Sequence, residues 1–266
     1  MITDERYLRG KRVLAEVEKS AEGSVLDTVR GFSPDLERLV VEFGYADVFD
    51  RPGLSRSRRQ LATVGALAAL GNAPSQLGFH VGGALNVGCT PEEIVEALVH
   101  VSIYAGFPAT LNAVTTAREV FAARGVELST TPHQTAPAER FATGSRLLEQ
   151  IDGAGGAAVV DALADIAPDL ARFIVEYSFG DVYARPGLSL QERELVTVAA
   201  CIALGTCVPQ LCLHMHGYLN VGGTADELIE VVIQMTVYAG FPAALNGLNH
   251  LRGVLTERES SATTAE

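Results

Sequence analysis

Tryptophan is absent from this 266-residue chain, and aromatic residues of all kinds make up only 6% of it. A core without large rings has to come from Ala, Val, Leu and Ile, and the weight of Ala and Leu favours helix. Cysteine is scarce: Cys89, Cys201, Cys207 and Cys212 are the full set. Positive charge is short as well, with 20 Lys and Arg against 32 Asp and Glu and a net charge of −12. That balance argues against a nucleic-acid partner and against an anionic membrane, both of which select a basic face. No stretch approaches the roughly 18 uninterrupted apolar residues of a membrane span. The opening MITDERYLRGKR is charged and lacks the apolar region of a signal peptide. A soluble cytoplasmic protein with reduced thiols is the expectation.

What the chain does contain is one sequence written twice. FGYADVFDRPGLSRSRR at 43–59 returns as YSFGDVYARPGLSLQER at 177–193, and YAGFPATLN at 104–112 returns as YAGFPAALN at 238–246, both at an offset of 134 residues. Such a period is too long for a solenoid unit and indicates a duplicated small domain. The division predicted is a first repeat over 1–124, a linker over 125–138 and a second repeat over 139–258, each repeat burying its own core. The linker GVELSTTPHQTAPA is polar and contains Pro, and the closing ESSATTAE reads as a frayed tail. The three cysteines of the second repeat have no matched partners in the first, which speaks against a disulfide framework.

Each repeat reads as the same helix series, and the fold class is all-α. An amphipathic helix (about 5–20, and 139–151) leads to a Pro-started helix near 34–48 and 168–182, which stops at the RPGLS turn. Ser189 with Glu192 forms a capping-box pattern for the next helix, whereas Ser55 keeps only the N-cap. That helix runs to Gly71 or Gly205. A further helix covers about 74–87 and 208–221. Thr90-Pro91-Glu92-Glu93 and Thr224-Ala225-Asp226-Glu227 open another, with Glu93 and Glu227 as caps. Both of these run to the YAGFPA corner, and a last helix continues to about 123 and 257.

These motifs in order, RPGLS, then Arg59 or Arg193, then HVGGALNVG at 80–88 or HMHGYLNVG at 214–222, then T-x-x-E and YAGFPA, resemble the carboxymuconolactone decarboxylase family. The resemblance covers nearly all of each copy. It implies two tandem copies of an alkylhydroperoxidase D-like helical domain and a homo-oligomeric ring, a trimer when the domain is duplicated. No cofactor and no metal is implied. The peroxidase branch of that fold uses a Cys-x-x-Cys-x-x-x-His array. Here the two cysteine positions hold Ala73 and Gln76 before His80, and Cys207 and Gln210 before His214, so the dithiol is incomplete in both copies.

Chemistry on a small organic acid remains: decarboxylation of a carboxylated, cyclic substrate, or a related lyase or isomerase reaction. It asks for a cationic anchor, a stabiliser of the developing anion and an acid to reprotonate carbon. His214 and His80 are the proton-transfer candidates. Glu194 stands where the family commonly carries Glu, and Gln60 replaces it in copy 1. Arg185, Arg193, Arg51 and Arg59 are the carboxylate anchors; a salt bridge of Arg51 to Asp47, or of Arg185 to Asp181, is the structural alternative. Tyr238, Gln210, Cys207 and His216 complete the predicted substrate-binding set. Tyr104 and Tyr238 alternatively pack at the helix corner with Phe107 and Phe241. His216 lies about 200° round the helix from His214, which disfavours a joint metal site. Copy 2 is the expected competent site. The alternatives are a non-catalytic ring-forming binding protein and a one-cysteine thiol peroxidase.

Overall fold

Runs of Ala, Leu and Val punctuated by Gly and Pro fold into twelve α-helices, with no strand among the described residues. The computed structural model describes residues 4–19, 24, 26–128 and 132–264, and side chains as far as residue 261. The first copy holds α1 (Glu5–Glu18), α2 (Asp27–Phe32), α3 (Pro34–Leu39), α4 (Arg56–Leu70), α5 (Pro74–Asn86) and α6 (Pro91–Arg124). The second holds α7 (Arg140–Asp161), α8 (Pro168–Phe173), α9 (Leu190–Leu204), α10 (Val208–Asn220), α11 (Ala225–Tyr238) and α12 (Gly240–Thr264). The Pro-started helices continue in wider π-helical winding, α3 over Val40–Phe49 and α8 over Ile174–Tyr183.

The predicted punctuation holds. Thr90, Ser189 and Thr224 make full capping boxes with Glu93, Glu192 and Glu227, while Ser55 accepts only from the Arg58 N–H. Gly71 and Gly205 end their helices at φ 66° and 68°. The YAGFPA corner turns on Gly106 and Gly240, at φ 77° and 84°, where a side chain would be strained. Three boundaries differ from expectation. α1 ends at Glu18, with Ser20 outside the described residues; α7 bends at Gly153 but continues to Asp161; and α12 carries the supposed tail onward to Thr264. Residues 129–131 of the linker and 265–266 of the tail lie outside the described residues. By length and composition α6 is apolar enough to cross a membrane. Its bend at Gly106 divides it, and its first half carries Glu96 and His100 in the core.

Each repeat supplies most of one central cluster, and the two clusters exchange residues across the seam. α4 and α9 lie against each other at the centre, both almost wholly buried. Leu54, Ala62 and Ala66 of copy 1 belong to the cluster built on Leu195, Met215 and Leu251, and Leu188, Val196 and Ala200 of copy 2 belong to the cluster built on Leu61, Leu98 and Val101. Full burial of a Leu or Val stabilises by roughly 1.5–3 kcal/mol. Separating the copies would expose several such residues at once.

Candidate active site

Sequence order puts His214 mid-way along α10, and packing of α10 on α9 and α7 buries it against two carboxylates. Its Nδ1 lies 3.0 Å from Glu194 Oε2 and 3.8 Å from Asp152 Oδ1. Its Nε2 lies 3.2 Å from the hydroxyl of Tyr104, which comes from α6 of the other copy. The Tyr104 hydroxyl is 3.0 Å from that of Tyr183, at the end of the π-helical segment, and Tyr183 donates in a short hydrogen bond to Glu194 Oε1. His214, Tyr104, Tyr183 and Glu194 thus close a ring of hydrogen bonds. Behind it, His100 Nε2 is 2.8 Å from Thr197 Oγ1, and the His100 ring meets Tyr183 edge-on at 4.7 Å.

Donor counting fixes the charge of this ring. Glu194 only accepts, so Nδ1–H and the Tyr183 hydroxyl both point at it. Tyr183 has then spent its proton and must accept from Tyr104. Tyr104 has in turn spent its own and must accept from Nε2–H. With Glu194 as a carboxylate, every link is satisfied only when His214 carries both ring protons. Burial alone would depress its pKa, but Glu194, with Asp152 beyond it, outweighs that and raises it to about 9. Burial, and then Glu194, push Asp152 up to about 7 even against the pull of His214. The Asp152 Oδ1 atom has no hydrogen-bond partner. A cavity of about 220 Å³ opens beside the ring, with Tyr104, Asp152, Tyr183, Gln210 and His214 among its polar lining and Ile103, Leu148, Ile174 and Phe179 among its apolar walls.

The equivalent place in copy 1 has the same helices and different chemistry. His80 Nδ1 lies 3.0 Å from Gln60 Oε1, an amide oxygen in place of a carboxylate. Phe49 stands where Tyr183 does, and Tyr238, the counterpart of Tyr104, meets His80 edge-on at 5.1 Å. Burial, with no carboxylate to oppose it, depresses the His80 pKa to about 3. His80 is neutral and His214 cationic at the same pH.

Of the predicted residues the structure brings His214, Glu194 and Gln210 together. Tyr238 belongs to the His80 cavity, and Tyr104 is the tyrosine at His214. Neither packs on the neighbouring corner phenylalanine: Phe241 stacks on Phe43, and Phe107 meets Tyr177. The four arginines are placed away from both histidines. Arg185 lies 2.7 Å and Arg193 3.0 Å from Glu96 of the other copy, and Arg51 and Arg59 each lie 2.7 Å from Glu230. Asp47 and Asp181 pair instead with Arg6 and Arg140. Arg59 and Arg193 are fully buried and also hold the RPGLS turns, through the carbonyls of Arg51 and Arg185. Gly53 and Gly187 make room for the glutamates, since a Cβ would come within 2.5 Å of Glu230 Cγ and 2.9 Å of Glu96 Cγ. This crossed clamp explains why a helix start tolerates Arg193 against its dipole. His216 faces away, 3.2 Å from Glu257. Cys207 precedes α10, and its hydrogen bond with the Cys201 thiol lowers it to about 7.

Sequence reasoning missed Asp152, Tyr183, His100, Glu96 and Glu230. Tyr183 was visible as the one phenol against Phe49 in the repeated motif. Asp152 fell one residue beyond the helix drawn to 151. The two glutamates share the 134-residue offset but lie far along the chain from their arginines. Asp152, Glu194 and His214 each offer a ligand atom, all within 4.8 Å of one another, and are the described residues that could hold a cation.

Comparison with known proteins gives one consistent family. The model of the carboxymuconolactone decarboxylase family matches residues 34–119 and again 168–252. The chain is 37% identical over 128 residues to 4-carboxymuconolactone decarboxylase of Acinetobacter baylyi, covering 47% of this chain and 94% of that protein. It is 38% identical over 78 residues to nitrosuccinic acid decarboxylase of Metarhizium robertsii, covering 29% and 54%. A crystal structure from Burkholderia xenovorans, described as a gamma-carboxymuconolactone decarboxylase subunit, superposes with a TM-score of 0.60 at 24% identity, over 95% of this chain and 98% of that one, and shows the shared fold.

Proposed function

The chain belongs to the carboxymuconolactone decarboxylase family, and from that premise we propose that it is a carboxy-lyase or closely related lyase or isomerase, acting without a cofactor on a small carboxylated cyclic acid. Copy 2 is the competent site. The observation that carries this reading is the closed ring, which keeps His214 protonated at neutral pH beside a cavity.

Decarboxylation needs just such an acid. The carbon–carboxylate bond breaks, carbon dioxide leaves, and the electron pair passes into the conjugated system of the acid as an enolate-like anion. His214 Nε2–H then delivers a proton to carbon, and the resulting neutral imidazole regains its proton from water. Glu194 holds the imidazole through Nδ1–H, so the ring turns neither during nor after transfer. Gln210 is a donor beside the cavity that can orient the substrate and meet the developing charge, while Tyr104, its own proton given to Tyr183, positions Nε2–H. The apolar walls suit departing carbon dioxide better than a carboxylate. With the arginines engaged in the clamp, His214 is the cation that faces the substrate.

The test is carbon dioxide release from 4-carboxymuconolactone, with His214→Ala as control. Release that is lost in the variant supports decarboxylation; no release by the intact protein removes that reaction and leaves isomerisation or cyclisation to assay. A thiol-peroxidase reading draws on the Cys201–Cys207 contact and requires peroxide consumption that disappears in Cys207→Ser. Assembly as a trimeric ring is part of the proposal. It is supported by large apolar side chains exposed at matching places in both copies, such as Leu36 and Leu170, Leu39 and Phe173, and Phe107 and Phe241.

A further inference from the structure

The cavity of copy 1 is larger than the one beside His214, about 430 Å³ against about 220 Å³. It lies within the range of roughly 300–1,000 Å³ usual for small-molecule sites. Its walls include Val29, Val40, Phe49, Leu67, Phe79 and Val237, and no Asp, Glu, Lys or Arg lines it among the described residues. The titratable groups that face it are His80, Tyr45 and Tyr238. Burial holds the imidazole neutral and pushes both phenols up, so the cavity presents no formal charge at neutral pH.

Besides the two phenols its polar side chains are Ser75, Gln76 and His80, and His80 is the one with an acceptor nitrogen. His80 Nδ1 donates to Gln60 Oε1, because that oxygen can only accept. Neutral His80 therefore keeps a bare lone pair on Nε2. In copy 2 the matching nitrogen meets Tyr104, whereas no described residue, Tyr238 included, is hydrogen-bonded to His80 Nε2. An ion entering here would lose its hydration with no countercharge to replace it. A neutral molecule with a hydroxyl would lose little and gain a hydrogen bond.

We propose that copy 1 retains a binding site of its own, for a neutral, mostly apolar ring compound that donates one hydroxyl hydrogen bond to His80 Nε2. The site is distinct in place and in charge preference from the His214 pocket, and the inference does not rest on the reaction assigned there.

The test is calorimetric titration of the full chain at neutral pH with three probes of one shape: 2-naphthol, naphthalene and 2-naphthoate. The expected result is one 2-naphthol per chain, bound about two- to tenfold more tightly than naphthalene, the usual range for one hydrogen bond. No binding of 2-naphthoate to this site is expected. Ala73→Phe and Val29→Phe, which fill the cavity from different walls, should each abolish 2-naphthol binding, so the test survives if one of them folds poorly. His214→Ala should leave it unchanged. Absence of 2-naphthol binding, tighter binding of the naphthoate, or binding lost in His214→Ala but kept in both filled variants would each overturn the proposal.

Discussion

Copy 1 and copy 2 place a histidine on the same helix, at the same depth, beside a residue from the same helix of the repeat, yet one histidine is neutral and the other cationic. The difference lies in a few side chains: Gln60 for Glu194, Phe49 for Tyr183, Gln234 for His100, and Glu18 for Asp152. Burial acts on both rings and favours the neutral form of each. Only where a carboxylate and two phenols close a hydrogen-bonded ring does the charged form win. Duplication therefore preserved a frame and not a chemistry. The frame itself needs both copies, because each histidine meets a tyrosine contributed by the other.

The comparison can be broken most severely at Glu194. Glu194→Gln gives copy 2 the amide of copy 1 and should lower the rate at neutral pH by about 10²–10⁴-fold, the usual worth of a positioned acid. The same variant should move the His214 pKa down toward the acid range of His80. The sign follows from the cause: an acid raised to about 9 is active below that pH and fades above it, so the wild-type rate should fall as pH rises through about 9. Loss of Glu194 removes the raising charge and pulls that fall toward acid. A rate profile that is unchanged in Glu194→Gln would dissociate the carboxylate from the acid.

Next in size is the crossed clamp. Glu96→Ala strands the buried Arg193 and the half-buried Arg185, and Glu230→Ala does the same to Arg59 and Arg51. Each should cost about 3–5 kcal/mol in denaturant unfolding, as removal of one partner from a buried pair does. The two variants should unfold alike, because the clamp is equal in both copies even though the pockets are not. A smaller effect is expected from Tyr104→Phe, which opens the ring at one link. A loss of about tenfold in rate is expected, in line with one buried hydrogen bond to a charged group. The smallest belongs to His216→Ala. Its exposed pair with Glu257 is worth less than about 1 kcal/mol, and the rate should stay within about twofold.

Much of this was legible in the sequence. The helix series and its capping boxes follow from local rules and from the match between copies, and the choice of His214 with Glu194 follows from the family resemblance and from Gln60 standing in the glutamate's place in copy 1. The partners of the arginines were not, because a buried guanidinium selects its carboxylate by three-dimensional proximity and Glu96 and Glu230 come from the opposite repeat. Nor was the crossing of Tyr104 and Tyr238. A 134-residue offset relates the copies but does not say which α-helical corner faces which histidine. Asp152 was hidden by a helix boundary, placed one residue short where Gly153 bends α7 without ending it.

The central claim is that the two buried histidines hold opposite charge states. It is tested most directly by NMR titration of labelled imidazoles in the intact chain, assigned with His80→Gln and His214→Gln. The account predicts that His214 stays protonated through neutrality and titrates near 9, while His80 stays neutral down to about 3. Two resonances titrating together near the ordinary histidine value of about 6.5, or His80 as the more basic of the two, would contradict it.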